Sequence, residues 1–332
     1  MAEIDESLHE SREANEARPL PWARLAPVIL ISLTGLIMAV WTWNTWPDVL
    51  IDFGRELHLA WQITEGRALY HDLAYFSGPL SPHVNAMWFA IFGVGLRAIV
   101  WMNLLLLVIL VILLYRLVRE ISDRYTATAA CMLFLVVFAF AHYVVTGNYN
   151  YVCPYSHELT HGLLLSLTAI YCLHHHRKQP RLAFLVAAGL ATGLAFLTRA
   201  EMFTACLAAV IVNAVLHKST GNARSREWIV FVASALSPPI IAWALLSFRM
   251  SSNEALAGLF SSWTTALNSG VGSLKFFRYG MGTDRPLANI ITMLKHLGGL
   301  IAVMSPAVLA AWWWKGKSTV IPAVIACLVY VL

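Results

Sequence analysis

The chain runs to 332 residues, of which 59% are hydrophobic and only 12% charged, with a net charge of +5. A soluble domain carries roughly a quarter charged residues, so this composition excludes an ordinary soluble enzyme and points to an all-α polytopic membrane protein. Lys and Arg sit in short blocks between apolar runs, which excludes a nucleic-acid-binding surface and fits the loops of one membrane face.

Residues 1–24 form a polar, acid-rich tail, expected in the cytoplasm, ahead of the first apolar run, Leu25 to Trp46. No small-residue cleavage site follows that run, so it is read as a retained anchor. Crossing a bilayer takes about 20 apolar residues. Helices are predicted at 25–46, 97–115, 125–145, 160–174, 182–198, 202–217, 228–248, 297–314 and 319–332. That makes a bundle of about 9 transmembrane helices in one transmembrane domain, 25–332. The last run stops at Leu332 before reaching a comfortable span, as an irregular helix or a fragment of a longer protein would.

The run 81–93, SPHVNAMWFAIFG, is apolar but short. If it lies in the interface, four basic blocks share the cytoplasmic side with the N-terminal tail: Arg116/Arg119/Arg124, Arg177/Lys178/Arg181, Lys218/Arg224/Arg226 and Lys315/Lys317. If it crosses, all four fall outside, so the interfacial placement is taken. A first outer loop at about 47–96 follows, with outer segments near 146–159 and 249–296 and a tight turn at Thr198–Glu201. Four of the five cysteines lie in apolar runs, so no disulfide framework is implied.

Three outer stretches carry charge. In WPDVLIDFGRELHLAWQITEG, Pro47 suits a first helical position, and Val49, Leu50, Phe53, Leu57, Ala60 and Trp61 recur at helical spacing. Asp48, Asp52 and Glu56 stack at i, i+4 and i+8 on the other side, with Arg55 beside them. An amphipathic helix on the membrane surface is predicted. Its three carboxylates repel by roughly a few tenths of a kcal/mol per pair, which invites a cation, a shared proton or a basic partner. A solvated polar face fits the same pattern. In TGNYNYVCPYSHELTHG, His157, Glu158 and His161 open an apolar helix at ligand-like spacing, a weak metal signal that an interfacial Tyr/His belt would also give. In GLATGLAFLTRAEMF, Arg199 and Glu201 join two apolar runs without a real loop, where a charge needs a partner or a wet cavity. Arg suits a phosphate, since its planar fork gives two charge-assisted hydrogen bonds; an Arg199–Glu201 or lipid-headgroup contact is the plainer reading.

The order of these stretches resembles the C-type (GT-C) membrane glycosyltransferases that use polyprenyl-phosphate-linked sugars, which include protein mannosyltransferases and the aminoarabinose transferases of lipid A. The resemblance runs over about 25–217. It rests on DFGREL after the first span, on EGRALYHDLAYFSGPLSPHVNAMWFAIFG, and on GLAFLTRAE. It implies a GT-C-like bundle with interfacial helices in the first outer loop, Asp52 as that loop's acidic site residue with Asp48 second, and Arg199 on the lipid phosphate. The chain departs from relatives in having Gly78-Pro79 where some carry Lys-Pro, and Glu158 where the second-loop acid is usually Asp.

The reaction so implied is sugar transfer from a polyprenyl-phosphate donor to an acceptor glycan, lipid or protein at the extracytoplasmic face, in a bacterial inner (plasma) membrane. Asp52 is the expected base, and Arg199 and Arg55 the donor-phosphate ligands. Asp48, Glu56, Asp72, His83, His157, Glu158 and Glu201 are expected to line the site. A divalent metal, if used, would fall to Asp52, Glu158 and His157. The competing reading is a transporter or flippase for a lipid-linked anion, with an inactive scaffold of this fold as a third. A transporter would show internal repeats and midplane charges, whereas no repeat is visible and the charges sit at one face.

Overall fold

The computed structural model describes residues 21–46, 52–143, 149–216, 222–268, 270, 273–280 and 282–315. Among them every regular element is a helix, apart from an isolated bridge between Leu69 and Leu73. Two compact units result, Met1–Leu259 and Phe260–Leu332. The second contributes α11 (Ser261–Leu267), α12 (Lys275–Gly280) and α13 (Pro286–Lys315).

The first unit holds α1 (Pro21–Trp41), α2 (Asp52–Thr64), α3 (Leu80–Phe92), α4 (Leu96–Ile121), α5 (Arg124–Leu133, running on through a π turn and a 3-10 turn to Tyr143), α6 (His157–Lys178), α7 (Leu182–Phe196), α8 (Ala200–Leu216), α9 (Asn222–Ser247) and α10 (Ser252–Leu259). Among the described residues, Leu96–Ile121, Arg124–Tyr143 and Ser225–Ser247 are long and apolar enough to cross a membrane, while Leu25–Trp41, Leu182–Phe196 and Ala200–Val215 are apolar but shorter. The run at 319–332 lies outside the described residues. α3 has 13 residues, about 20 Å of helix.

α7 and α9 meet almost backbone to backbone. A Cβ at Gly193 would collide with the Ala235 carbonyl oxygen, and one at Gly189 would lie 2.6 Å from that of Phe231. Small residues let membrane helices approach this closely. Pro238 and Pro239 lie inside α9 and lack the N–H groups that the Ser234 and Ala235 carbonyls would otherwise bind. Ser237 Oγ donates to the first at 2.9 Å, and the second rests against Gly193.

A second seam ties the loop before α3 to the α7–α8 turn. Gly78 N donates to Thr198 O at 2.7 Å and Leu80 N to Leu197 O at 3.0 Å. A Cβ at Gly78 would collide with the Leu197 carbonyl, so glycine is required there by close approach. The turn that carries Arg199 is thereby fixed against the segment that leads into α3.

Candidate active site

One face of α2 packs into the protein. Its buried face is Phe53, Glu56, Leu59 and Ala60, all at most 4% exposed, whereas Trp61, expected on the apolar face, is 45% exposed. Glu56 is 1% exposed, which corrects the expectation of a polar face carrying Asp48, Asp52 and Glu56. The physical reason is that its carboxylate has partners inside. Arg55 Nη2 and Nε donate to Glu56 Oε1 at 2.7 and 3.3 Å. His157 Nδ1 lies 3.2 Å from Glu56 Oε2. Burial alone would raise the Glu56 pKa, but the His157 hydrogen bond and the Arg55 guanidinium outweigh it and hold the carboxyl below its ordinary value.

The loop before α6 closes over this pair. Arg55 Nη2 also reaches Tyr155 O at 3.2 Å, and its guanidinium stacks over the Phe76 ring at 4.9 Å. His157 is fully buried on the first turn of α6, and its ring stacks on Phe53. Its Nε2 is 3.0 Å from Asn103 Nδ2 of α4, and that amide nitrogen also donates to Val152 O at 2.9 Å. Glu158 is fully buried as well. Ser156 Oγ donates to its Oε2, and its Oε1 has no hydrogen-bond partner.

Glu158 precedes the predicted span at 160–174. Burial, then the neighbouring Glu56 carboxylate, push its pKa from the ordinary 4.5 up to about 8, against the opposing fields of Arg55 and Arg199. Because the folded value is raised, the associated stability is fully present below about 4.5 and is lost as pH rises through about 8. Wild-type protein is expected to lose up to a few kcal/mol between about pH 5 and pH 8 from this group. In Glu158→Gln that slope should flatten; thermal unfolding in detergent across this range is the check, and parallel curves would refute it.

Arg199 enters from the α7–α8 turn. It is 23% exposed, donates from Nη2 to Glu201 Oε1 at 3.0 Å, and bears on both Tyr155 and Glu158. Its Nε is buried without a partner, while Glu201 is 57% exposed.

The structure thus brings together Arg55, Glu56, His157, Glu158, Arg199 and Glu201 from three separate stretches. Asp52 is the first residue of α2, one turn before Glu56, with its side chain outside the described set. Asp48 also lies outside the described residues. Asp72 and His83 bond within their own local segments. Asp72 is exposed and accepts from Ala68 N at 2.7 Å within its own turn, because the loop folds back there. His83 Nδ1 bonds to Pro79 O at 2.7 Å, and the ring faces a cavity instead. Among the described residues no group of three His, Cys, Asp or Glu side chains is arranged to hold a metal. Both His157 nitrogens are engaged by Glu56 and Asn103.

Asn103, Ser156 and Phe76 were not singled out in the sequence. Asn103 alone left a trace, a lone amide in a run of apolar residues.

That cavity encloses about 680 Å³. Its walls are mainly apolar, with Leu69, Leu80, Leu194, Leu197, Ile241 and Leu245, and Arg67 and Arg249 join His83 as its cationic or titratable members. This is the size range of small-molecule sites. Leu197 and Pro79 line it, so the seam that fixes Arg199 is also a cavity wall.

Comparison with known proteins gives one family match. The model of a family described as dolichyl-phosphate-mannose-protein mannosyltransferase matches residues 77–244, half of the chain. No curated protein and no solved structure matched.

Proposed function

The chain belongs to the dolichyl-phosphate-mannose-protein mannosyltransferase family, and from that premise we propose that it moves a sugar from a polyprenyl-phosphate donor to an acceptor at the extracytoplasmic face of the membrane. It is an integral membrane protein of a glycosyltransferase family. The observation that carries the finer reading is the meeting of two arginines and two buried carboxyl groups beside a large apolar cavity.

In this reading the isoprenoid chain of the donor lies in the cavity, which a soluble nucleotide-sugar would not need. The donor phosphate meets Arg199 and Arg55, whose guanidinium groups offer forked hydrogen bonds to it. An acceptor oxygen or nitrogen attacks the anomeric carbon, and the bond from that carbon to the phosphate oxygen breaks. The electron pair leaves on the phosphate, where the two arginines stabilise the added charge. Asp52 takes the acceptor proton as general base. Glu158, which holds its own proton near neutrality, lines the acceptor side as a hydrogen-bond donor.

The test is incubation of purified protein with polyprenyl-phosphate sugars while free polyprenyl phosphate is measured. Transport alone would leave the donor intact, so absence of release across such donors would overturn the enzyme reading. Arg199→Ala is expected to lower kcat/KM for the donor about 100-fold, the size of one lost oxyanion-type contact. Unchanged donor kinetics in that variant would take Arg199 out of the site.

A further inference from the structure

We propose that Asn103 and His157 are positioning residues for glycosyl transfer, acting through Glu56 to hold the Arg55 guanidinium in place; this rests on the glycosyltransferase reading above. The four residues form one hydrogen-bonded chain through three helices, from Asn103 on α4 through His157 on α6 to Glu56 and Arg55 on α2.

The chain has a direction that its ends dictate. The Val152 carbonyl can only accept, so the Asn103 atom 2.9 Å from it is the amide nitrogen. The same nitrogen faces His157 Nε2 at 3.0 Å, so Nε2 accepts and the ring carries its proton on Nδ1. Nδ1–H then points to Glu56 Oε2 at 3.2 Å, which accepts it. The other carboxylate oxygen, Oε1, takes two N–H groups of Arg55. Asn103 therefore selects the imidazole tautomer, the tautomer fixes the carboxylate, and the carboxylate aims the guanidinium.

Burial argues against a merely structural role for the chain. Asn103, His157 and Glu56 are at most 1% exposed, and polar groups in such surroundings cost stability that apolar replacements would not. Phe53 stacked on the imidazole at 28° holds the ring plane, and Phe76 does the same for the guanidinium. Arg55 is the only member of the chain with substantial exposure, at 30% of its side chain. A long side chain is thus pre-oriented at the open end of a rigid polar chain, which is what positioning of a reacting group requires.

The experiment uses the full chain in lipid nanodiscs with polyprenyl-phosphate mannose as probe, reading polyprenyl phosphate release. His157→Phe keeps the ring stack and is expected to lower donor kcat/KM about 50-fold in the wild-type background, but less than about threefold in an Arg55→Ala background, since coupled residues do not add. Equal losses in both backgrounds would overturn the proposal. His157→Gln restores an N–H toward Glu56 and is expected to regain most of the activity; it also serves if the Phe variant fails to fold. A readout independent of turnover is nitrogen NMR on histidine- and arginine-labelled protein. His157 should carry its proton on Nδ1 with Nε2 bare, and the Arg55 Nε signal should be sharp in wild type and broadened in Asn103→Leu. A proton on Nε2, or an Arg55 signal indifferent to Asn103, overturns the proposal. If wild type releases no polyprenyl phosphate, the glycosyltransferase reading fails with this donor, and the NMR outcome alone decides the chain.

Discussion

Asp52→Asn is expected to reduce sugar transfer by about 1,000-fold while leaving insertion and folding unchanged, a loss in the range of a removed general base. The substitution keeps size and hydrogen-bonding capacity but cannot take up the acceptor proton. Its position supports the assignment: Asp52 opens α2 one turn ahead of Glu56, and Glu56 is already committed to Arg55 and His157. Glu158, the other nearby carboxyl, is held protonated and so is the wrong form for a base near neutrality. Release of polyprenyl phosphate by purified Asp52→Asn protein, with thermal unfolding alongside, measures both halves of the expectation. Wild-type turnover in that variant would move the base elsewhere, with Asp48 the next residue to replace.

Glu56→Ala is expected to be among the most damaging substitutions for stability. It leaves His157 Nδ1–H buried with no acceptor and strips Arg55 of its carboxylate. Breaking a buried ion pair from one side typically costs about 3–5 kcal/mol, because the remaining partner stays desolvated. Equilibrium unfolding of the detergent-solubilised protein should register a loss of that order; one below about 1 kcal/mol would mean that the group is not the hub the distances describe. The pH dependence has a definite sign. The Glu56 value is lowered in the fold, so its contribution is present above the ordinary 4.5 and is lost as pH falls through the folded value. The difference between wild type and Glu56→Ala should therefore narrow in acid.

How much of this was legible in the sequence depends on the range of the interactions involved. The apolar runs of α4, α5 and α9 were legible because a span is a local property of about 20 residues. The charged stretches with Arg55, Glu158 and Arg199 were legible too, since charges are conspicuous in a chain with so few. The burial of Glu56 was not. Helical periodicity sorts residues by their own polarity, and the imidazole that makes a buried carboxylate tolerable lies 101 positions further on. For the same reason Asn103 passed unnoticed, its partner His157 being 54 residues away. The local bonds of Asp72 to Ala68 N and of His83 to Pro79 O were not legible either, because they depend on how the backbone turns there.

The tight seam at Gly78 has a consequence for how such a chain can change over evolutionary time. Any side chain at position 78 would strike the Leu197 carbonyl. The two segments are thus locked like a tongue in a slot. A cation gained on one side forces the α7–α8 turn aside, and with it Arg199. A change at 78 is therefore expected to disturb the turn at 197–198 and the Arg199 it carries, and not the segment before α3 alone.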